Sequence, residues 1–158
     1  MQLNVSTCYA IQIMLYLARS KKVVSTTELS EWLKISQRYL MQFTIRLREN
    51  HFVHAYTGMN GGYALSKATS DISVYDIIKA MEGDMSIPDC LTIPTDCGKP
   101  CTNSHLFESI KAMKEYMETY LKSIMLDELS DMEINGNLNE ILELVEGHIG
   151  EMKQKVRA

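Results

Sequence analysis

The sequence predicts a mainly α-helical fold with a small β-hairpin wing, in which a winged helix-turn-helix domain precedes a long dimerisation helix. Three observations lead to this fold class. Capping signals near residues 25 and 36 open two short amphipathic helices separated by a tight turn. An Asn-Gly pair then separates two β-prone runs, which is the strongest short-range hairpin signal. Beyond residue 105, apolar residues recur at steps of 4, 3, 4, 3 and 4, the spacing of a helix–helix seam.

The length and composition are those of a globular protein with one sizeable core: 158 residues, 46% hydrophobic and 23% charged. No apolar run approaches the roughly 20 residues that a membrane-spanning helix needs. The start, MQLNVSTCYAIQ, lacks the basic region and cleavage site of a signal peptide. We therefore expect a cytoplasmic protein with no membrane partner. Four unevenly spaced cysteines in a reducing compartment favour metal or redox chemistry over a disulfide framework.

The net charge of −4 conceals a basic part and an acidic part. Residues 1–67 carry eight Lys or Arg against three Asp or Glu, a net +5, and residues 68–158 carry eight against seventeen, a net −9. A basic surface is expected where a protein contacts the phosphates of a nucleic acid. Uneven surface charge without any partner is the alternative, and charge alone does not exclude it.

Two helices are predicted before the turn. Residues 7–19 have helical periodicity with Ser6 as the N-cap. Cys8 then falls in the first turn, where the helix dipole favours a thiolate, although a small buried hydrophobe is the plainer interpretation. Ser25 to Glu28 is a capping-box pattern that opens the second helix. The predicted buried stripe of this helix is Leu29, Trp32 and Leu33.

The third helix is capped by Ser36 and has an apolar inner face and a polar outer face. The inner residues are Tyr39, Leu40, Phe43 and Leu47, and the outer residues are Gln37, Arg38, Gln42, Arg46 and Arg48. This arrangement is typical of a helix-turn-helix, because Arg and Gln can make bidentate contacts with base edges in the major groove. The expected base readers are Gln37, Arg38 and Gln42, and the expected phosphate contacts are Arg38, Arg46, Arg48 and the Lys21-Lys22 loop. An ordinary helical hairpin with a solvated polar face is the alternative.

A hairpin directly follows the third helix. Residues 52–56 and 63–65 have strand character, and a Gly-rich segment from Thr57 to Gly62 joins them. A hairpin in this place is typical of the wing of a winged helix, and glycines at its tip let the backbone approach a phosphate or a groove wall. The alternative is a structural hairpin that closes the domain.

A further capping pattern, Ser73 to Asp76, opens a helix that ends at Gly83. We expect residues 1–83 to form the DNA-binding domain and residues 84–104 to form a sensor loop. The potential metal ligands in and just after this loop are Cys90, Cys97, Cys101 and His105. Thiolates are soft ligands, so three of them in a short loop can hold an iron–sulfur cluster or a zinc ion.

Residues 105–158 are expected to form the dimerisation helix and a C-terminal helical segment, with a last amphipathic helix over 138–156. The seam of the long helix consists of Leu106, Ile110, Met113, Met117, Tyr120 and Ile124. This seam is short for a free coiled coil, so we expect one helix of a dimer interface that other elements support. Packing of the same seam against the chain's own domain is the alternative.

Several segments taken together resemble the bacterial winged-helix repressors that include the iron–sulfur cluster assembly regulator, the nitric-oxide-sensing repressor and the cysteine-metabolism repressor. The segments are Tyr9-Ala10, residues 35–42 (ISQRYLMQ), residues 61–65 (GGYAL), residues 72–83 (ISVYDIIKAMEG) and the three-cysteine loop. The resemblance covers residues 1 to about 130, and its specificity lies in the combination.

The resemblance implies a homodimer that binds a (pseudo)palindromic double-stranded DNA operator and represses, sometimes activates, transcription. We expect it to take no small-molecule substrate. The resemblance also implies an iron–sulfur cluster, 2Fe–2S or 4Fe–4S, whose state tunes operator affinity. The implied ligands are Cys90, Cys97 and Cys101, with either His105 or Cys8 of the partner subunit as the fourth. The expected DNA-contacting residues are Ser36, Gln37, Arg38, Tyr39, Gln42 and Arg46 on the third helix and Thr57, Gly58, Asn60 and Gly61 in the wing.

Two departures from the family pattern affect specificity. Met41 stands where the family often has an acidic residue, and Thr57 and Asn60 stand where it often has basic groups in the wing. The operator sequence therefore does not carry over from better-known relatives. The cysteine spacing, six intervening residues and then three, leaves the cluster type open.

Two other interpretations stand beside the cluster-sensing repressor. In one, the same DNA-binding repressor has no cluster and responds to thiol redox chemistry, zinc or a protein partner. In the other, Cys97 and Cys101 belong to a thiol oxidoreductase. Their spacing is C-x-x-x-C instead of C-x-x-C, and no βαβ pattern surrounds them. We therefore do not expect an enzyme.

Overall fold

The computed structural model describes residues 4–58, 61–84 and 105–131. These residues form helices and one two-stranded antiparallel sheet, which confirms a mainly α fold with a small hairpin. In chain order the elements are α1 (Val5–Ser20), α2 (Thr26–Leu33), α3 (Gln37–Glu49), β1 (Val53–Tyr56), β2 (Gly62–Leu65), a 3₁₀ turn (Thr69–Asp71), α4 (Val74–Glu82), α5 (His105–Ser123) and α6 (Leu126–Asp131). None of the helices in these three ranges has the length and apolar content to cross a membrane.

α1 begins earlier than the sequence predicts, and its N-cap is Asn4. The Asn4 carbonyl accepts bonds from the backbone N–H groups of Thr7 (2.9 Å) and Cys8 (3.2 Å). The prediction of Ser6 as the cap was wrong, because the Glu82 carboxylate accepts a bond from the Asn4 N–H (2.9 Å) and so holds the chain entering the helix. The buried face agrees with the predicted periodicity and comprises Thr7, Ala10, Ile13, Met14, Leu17 and Ala18.

Serine hydroxyls cap α2, α3 and α4 as predicted. Each accepts a bond from the backbone N–H three residues later: Ser25 from Glu28 (3.1 Å), Ser36 from Tyr39 (3.2 Å) and Ser73 from Asp76 (3.2 Å). Such a cap contributes about 1 kcal/mol. The reciprocal bond of a capping box forms at Ser73, whose N–H donates to Asp76 (3.0 Å). At α2 the Glu28 carboxylate instead accepts a bond from the Tyr16 hydroxyl (2.9 Å), which raises the pKa of Tyr16.

Trp32 lies at the surface, so its prediction as a buried residue was wrong. Its side chain is 46% exposed, and its ring tilts against Tyr16 with the ring centroids 4.7 Å apart. Leu29 is fully buried and Leu33 packs against the core. These two leucines, four residues apart, share the inward face of α2, whereas Trp32 is turned towards its edge.

The hairpin pairs β1 with β2 in the register Val53↔Leu65 to Tyr56↔Gly62. A bridge that the sequence did not predict joins Val24 to Tyr63, with N–H···O distances of 2.9 and 2.8 Å. A Cβ atom at Gly62 would lie 2.1 Å from the Val24 carbonyl oxygen. Gly62 therefore allows this close backbone approach inside the protein.

One apolar core joins the helices to the base of the hairpin, and it includes Leu126 of α6. The chain returns to this core after α5 through two backbone bonds, from Val74 N–H to the Ile124 carbonyl and from Leu126 N–H to the Ile72 carbonyl, both 2.9 Å. The sequence did not predict α6, because residues 127–131 are mostly acidic and polar. The division at residues 83 and 104 stays a prediction, and the described contacts tie 124–126 to the first part.

The long helix is present as α5 but ends one residue before the last predicted seam position, Ile124. The Lys122 ammonium group of α5 lies 4.5 Å from the centre of the Tyr75 ring of α4, so α5 packs against its own chain. Met113 of the seam nevertheless remains 55% exposed. The helix predicted for 138–156 lies outside the described residues.

Candidate nucleic-acid interface

α2 and α3 are joined by a tight turn whose backbone conformation directs the outer face of α3 to solvent. Lys34 adopts the left-handed conformation (φ 55°) that ends α2. The Ile35 N–H then bonds the Ser30 carbonyl (3.1 Å), and Ser36 starts α3 immediately. This is the helix-turn-helix that the sequence predicts.

Two of the predicted base readers present free polar groups on α3. Arg38 and Gln42 are exposed, and neither side chain hydrogen-bonds or pairs with another residue in the part of the chain that the structure describes. The third, Gln37, donates from Nε2 to the Thr27 hydroxyl (3.1 Å), which links the starts of α2 and α3. One turn of helix separates Arg38 from Gln42, so the two side chains lie side by side on one face.

Ser36 and Tyr39 have structural contacts as well as exposure. The Ser36 hydroxyl oxygen is the cap acceptor of α3. The Tyr39 ring meets Phe43 edge-on at 4.7 Å and Tyr9 edge-on at 5.9 Å, while the residue stays 37% exposed. Its ring therefore packs between α1 and α3, and its outer part borders the exposed face of α3.

Arg46 has a structural contact that the sequence did not indicate. Its guanidinium donates to the carbonyl of Met81 (2.7 Å) in the last turn of α4. A carbonyl in that position has no partner within its own helix, and a cation there also interacts favourably with the helix dipole. Arg46 therefore holds α3 to the end of α4, and its phosphate contact stays a prediction, because this bond uses one of five guanidinium N–H groups and the residue is exposed.

The outer face of α3 also carries two large apolar residues that the sequence reasoning missed. Met41 is 48% exposed and Ile45 is 40% exposed. With Arg38 and Gln42 they occupy positions i, i+3, i+4 and i+7, which form one stripe on a helix. Helical spacing could have indicated their exposure, because it places both residues outside the buried set Leu40, Phe43, Thr44 and Leu47.

The wing lies next in the chain and is partly described. Thr57 and Gly58 are exposed at the end of β1, and Gly58 has a positive φ of 109°. The Gly61 N–H bonds the Gly58 carbonyl (3.0 Å), and a Cβ at Gly61 would lie 2.6 Å from the Tyr56 carbonyl oxygen. Gly61 thus closes the turn. Asn60, the remaining predicted contact, lies outside the described residues.

The other predicted phosphate-contacting cations lie at the surface. Arg48 and Lys21 are exposed, and Lys21 has the left-handed conformation that ends α1. Lys22 Nζ lies 3.7 Å from a Glu28 carboxylate oxygen, with 64% of the lysine side chain exposed. A pair this exposed contributes little to stability.

Of the predicted metal ligands, the structure describes the side chain of Cys8. Cys8 is exposed in the first turn of α1 and forms no disulfide, so the interpretation of a buried hydrophobe was wrong. Cys90, Cys97 and Cys101 lie outside the described residues, and His105 is described as the first residue of α5 by its backbone alone. Across 4–58, 61–84 and 105–131, no group of three or more His, Cys, Asp or Glu could hold a metal ion.

The end of α4, from which the cysteine loop departs, is tied to the start of α1. Glu82 Oε1 accepts bonds from the Asn4 N–H (2.9 Å) and the Thr7 hydroxyl (2.6 Å), next to Cys8 in the chain. One residue past the helix cap, Asp84 Oδ1 lies 2.8 Å from Lys79 Nζ, and this hydrogen bond lowers the pKa of Asp84 and raises that of Lys79. The loop therefore begins at a point that contacts both α1 and, through Arg46, α3.

The known proteins to which this chain is similar are transcriptional regulators. The family model Rrf2, described as "Iron-dependent Transcriptional regulator", matches residues 3–132. The chain is 27% identical over 135 residues to the HTH-type transcriptional regulator NsrR of Shouchella clausii, covering 81% of this chain and 91% of that protein. It is 28% identical over 152 residues to an HTH-type transcriptional regulator of Neisseria meningitidis serogroup A, covering 94% and 100%.

Solved structures of similar proteins have the same fold. The structure of IscR from T. potens is 29% identical, with a TM-score of 0.65, covering 84% of this chain and 89% of that chain. CymR, the global cysteine regulator of B. subtilis, is 23% identical with a TM-score of 0.66, covering 82% and 96%, and at that identity it supports the fold alone. The predicted winged-helix fold is confirmed.

Proposed function

The chain belongs to the Rrf2 family of transcriptional regulators, and from that premise we propose that it is a dimeric repressor whose operator affinity is tuned by an iron–sulfur cluster. DNA binding and regulation of transcription are the functions of this family and of the relatives, which are not enzymes. The thiol oxidoreductase interpretation is therefore set aside. The observation that carries the proposal is the exposed face of α3, where Arg38 and Gln42 have no partner among the described residues.

In the proposed complex α3 lies in the major groove. Arg38 is suited to guanine and Gln42 to adenine, because each can form two hydrogen bonds with one base edge. Gln37 reaches a base after it releases Thr27. Around this face, the groups proposed to contact the sugar-phosphate backbone or to border the groove are Ser36, Tyr39, Arg48, Lys21, Lys22 and the wing residues Thr57, Gly58, Asn60 and Gly61.

Operator binding is tested by selecting duplexes from a random pool and measuring affinity by fluorescence anisotropy across a range of salt concentrations. Arg38→Met should weaken binding and relax the base preference at one position, by about 1–3 kcal/mol for a bidentate contact. Lys111→Met is the matched control, because Lys111 is half exposed on α5 in the acidic part of the chain. If no duplex is enriched and binding does not weaken with salt, the proposed function fails.

The proposed dimer uses α5. Ile110, Met117 and Tyr120 are partly exposed, and Met113 and Tyr116 are 55% and 40% exposed. Large apolar groups on a surface helix are stabilised when a second apolar surface covers them. Analytical ultracentrifugation of the wild type should show a dimer, and Met113→Glu should shift it towards monomer. A wild type that is monomeric at all concentrations would contradict the proposal.

The cysteines of the chain suit the proposed cluster by their chemistry. Cys90, Cys97 and Cys101 would hold it, with Cys8 of the partner subunit or His105 completing the set. Cys8 is available for this role because it is exposed and outside any disulfide. A bound cluster would supply a thiolate-anchored cross-link that is sensitive to oxidants and nitric oxide. Among the described residues, the end of α4 that precedes the loop is tied to the first turn of α1, where Glu82 bonds Thr7.

The cluster is tested by anaerobic purification, visible absorbance, and iron and sulfide analysis. Brown protein that loses its colour in Cys97→Ser would support the proposal, and operator affinities of the holo and apo proteins must differ if the cluster tunes binding. Colourless protein without iron would contradict it. In that case, bound zinc or reversible thiol oxidation would identify the non-cluster alternatives.

A mixed dimer decides whether the fourth ligand crosses between subunits. If Cys8 completes the site of the partner subunit, a heterodimer of a Cys8→Ser chain and a Cys97→Ser chain contains one complete site and regains half of the absorbance. If Cys8 serves its own subunit, both sites in that heterodimer are broken. If His105 is the ligand, Cys8→Ser alone keeps its cluster and His105→Ala loses it.

A further inference from the structure

We propose that Met41 and Ile45 are specificity-determining residues that read thymine methyl groups in the operator. This inference rests on the proposed DNA binding by α3 and adds the chemistry of the bases that are read. The observation is the exposure of two large apolar side chains, 48% for Met41 and 40% for Ile45, on the polar outer face of the recognition helix.

The position of both residues is set by the helix itself. The residues that turn α3 inward are Leu40, Phe43, Thr44 and Leu47. Ile45 is one position from Thr44 and seven from Arg38, which is close to two full turns of an α-helix. Ile45 therefore projects in nearly the same direction as the Arg38 guanidinium, and Met41 and Gln42 flank that line on its two sides. Rotation of α3 about its own axis moves Arg38 and Ile45 together, so a helix that lies along the groove brings both side chains towards the bases.

The charge of the surroundings identifies DNA as the occupant of this face. Arg38 lies in the same stripe, Gln42 adds an amide, and residues 1–67 carry a net charge of +5. An apolar protein surface would have to desolvate the Arg38 cation without a partner, whereas DNA supplies phosphates and base acceptors to it. The apolar group that DNA displays in the major groove is the C5 methyl of thymine.

The spacing of the two residues predicts the spacing of the thymines. Four residues of α-helix rise about 6 Å, which is close to two base-pair steps of about 3.4 Å. With α3 along the groove, Met41 and Ile45 should contact methyl groups about two base pairs apart. Their partners can lie on either strand, because both strands present thymine methyls to the major groove.

The test removes one methyl group at a time. In the selected operator each thymine is replaced singly by deoxyuridine, which keeps the base pairing and deletes only the C5 methyl. The wild type should lose affinity by about fourfold at each contacted thymine, the value expected for one buried methyl group. Met41→Ala and Ile45→Ala should each become insensitive to the methyl at one position and keep the wild-type response at the other.

Val5→Ala is the matched control, since Val5 is also a large exposed apolar residue (65%) but lies on α1. It should keep the full wild-type response to deoxyuridine. The inference is overturned if the wild type binds every deoxyuridine operator as tightly as the thymine operator, or if both alanine variants keep the whole methyl response. A loss of dimer in Met41→Ala with an unchanged methyl response would assign the stripe to a protein contact instead. If the proposed function itself is wrong, no operator is selected from the random pool, and this outcome distinguishes the two failures.

Discussion

Replacing Arg46 with methionine removes the guanidinium that donates to the Met81 carbonyl at 2.7 Å and keeps most of the apolar stem. A hydrogen bond with a charged donor contributes about 1.5–3 kcal/mol, and the lower value applies because Arg46 is exposed to solvent. In a chain of this size, 1 kcal/mol corresponds to about 2–4 °C in Tm. We therefore expect Arg46→Met to unfold about 3–6 °C below the wild type.

The effect of Arg46→Met on DNA binding is measured by the salt dependence of operator affinity. Each lost phosphate contact reduces the slope of log affinity against log salt by about 0.9. If α4 keeps the guanidinium in the DNA complex, Arg46→Met retains the wild-type slope, and a lower slope would mean that Arg46 also contacts a phosphate. Arg48→Met is the matched control: Arg48 is exposed on the same helix, and its replacement should lower the slope and leave Tm unchanged. A variant at Arg46 with wild-type Tm and a reduced slope would refute the structural role.

Three further predictions concern stability. Gly62→Ala should cost about 2–4 kcal/mol in urea unfolding, because its Cβ would lie 2.1 Å from the Val24 carbonyl oxygen and would break that bridge; unchanged stability would contradict the packing argument. Ser73→Ala should cost about 1 kcal/mol through loss of the α4 cap, measured in the same way. Asp84→Asn should bring the pKa of Lys79 down towards its ordinary value in an NMR titration. The pKa of Asp84 is lowered in the folded state, so its pair with Lys79 stabilises the fold above the ordinary carboxyl pKa. The unfolding free energies of the wild type and Asp84→Asn should therefore converge as the pH falls through the folded-state pKa of Asp84.

Features set by neighbouring residues were predictable. Ser25, Ser36 and Ser73 cap their helices as the sequence indicates, because a hydroxyl reaches the N–H three residues later with no help from the rest of the fold. The hairpin follows for the same reason, since its register depends on a short turn. The exposed pair Arg38 and Gln42 was also visible from helical spacing.

Contacts with distant parts of the chain were not predictable from the local sequence. Periodicity allowed Trp32 to be buried, but the position of α1 leaves it against Tyr16 at the surface. Basic character suggested a phosphate partner for Arg46 and gave no sign of the α4 carbonyl that it bonds. Composition made residues 127–131 look like a solvated segment, yet they belong to α6, whose first residue, Leu126, is fully buried in the core.

The sequence by itself determined the class of this protein: capped helices, a hairpin after the third helix, a basic first part and a combination of segments that resembles one family. The caps and the hairpin depend on residues that are close in sequence, and the charge and the family resemblance can be read from the sequence directly. The tertiary structure alone showed that α4 bonds Arg46, 35 residues away, and that Glu82 holds Asn4 at the start of α1, 78 residues away. The stripe Arg38, Met41, Gln42 and Ile45 stays exposed on the outer face of α3. Two of these four side chains are apolar, which is why the face should read thymine methyls as well as polar base edges.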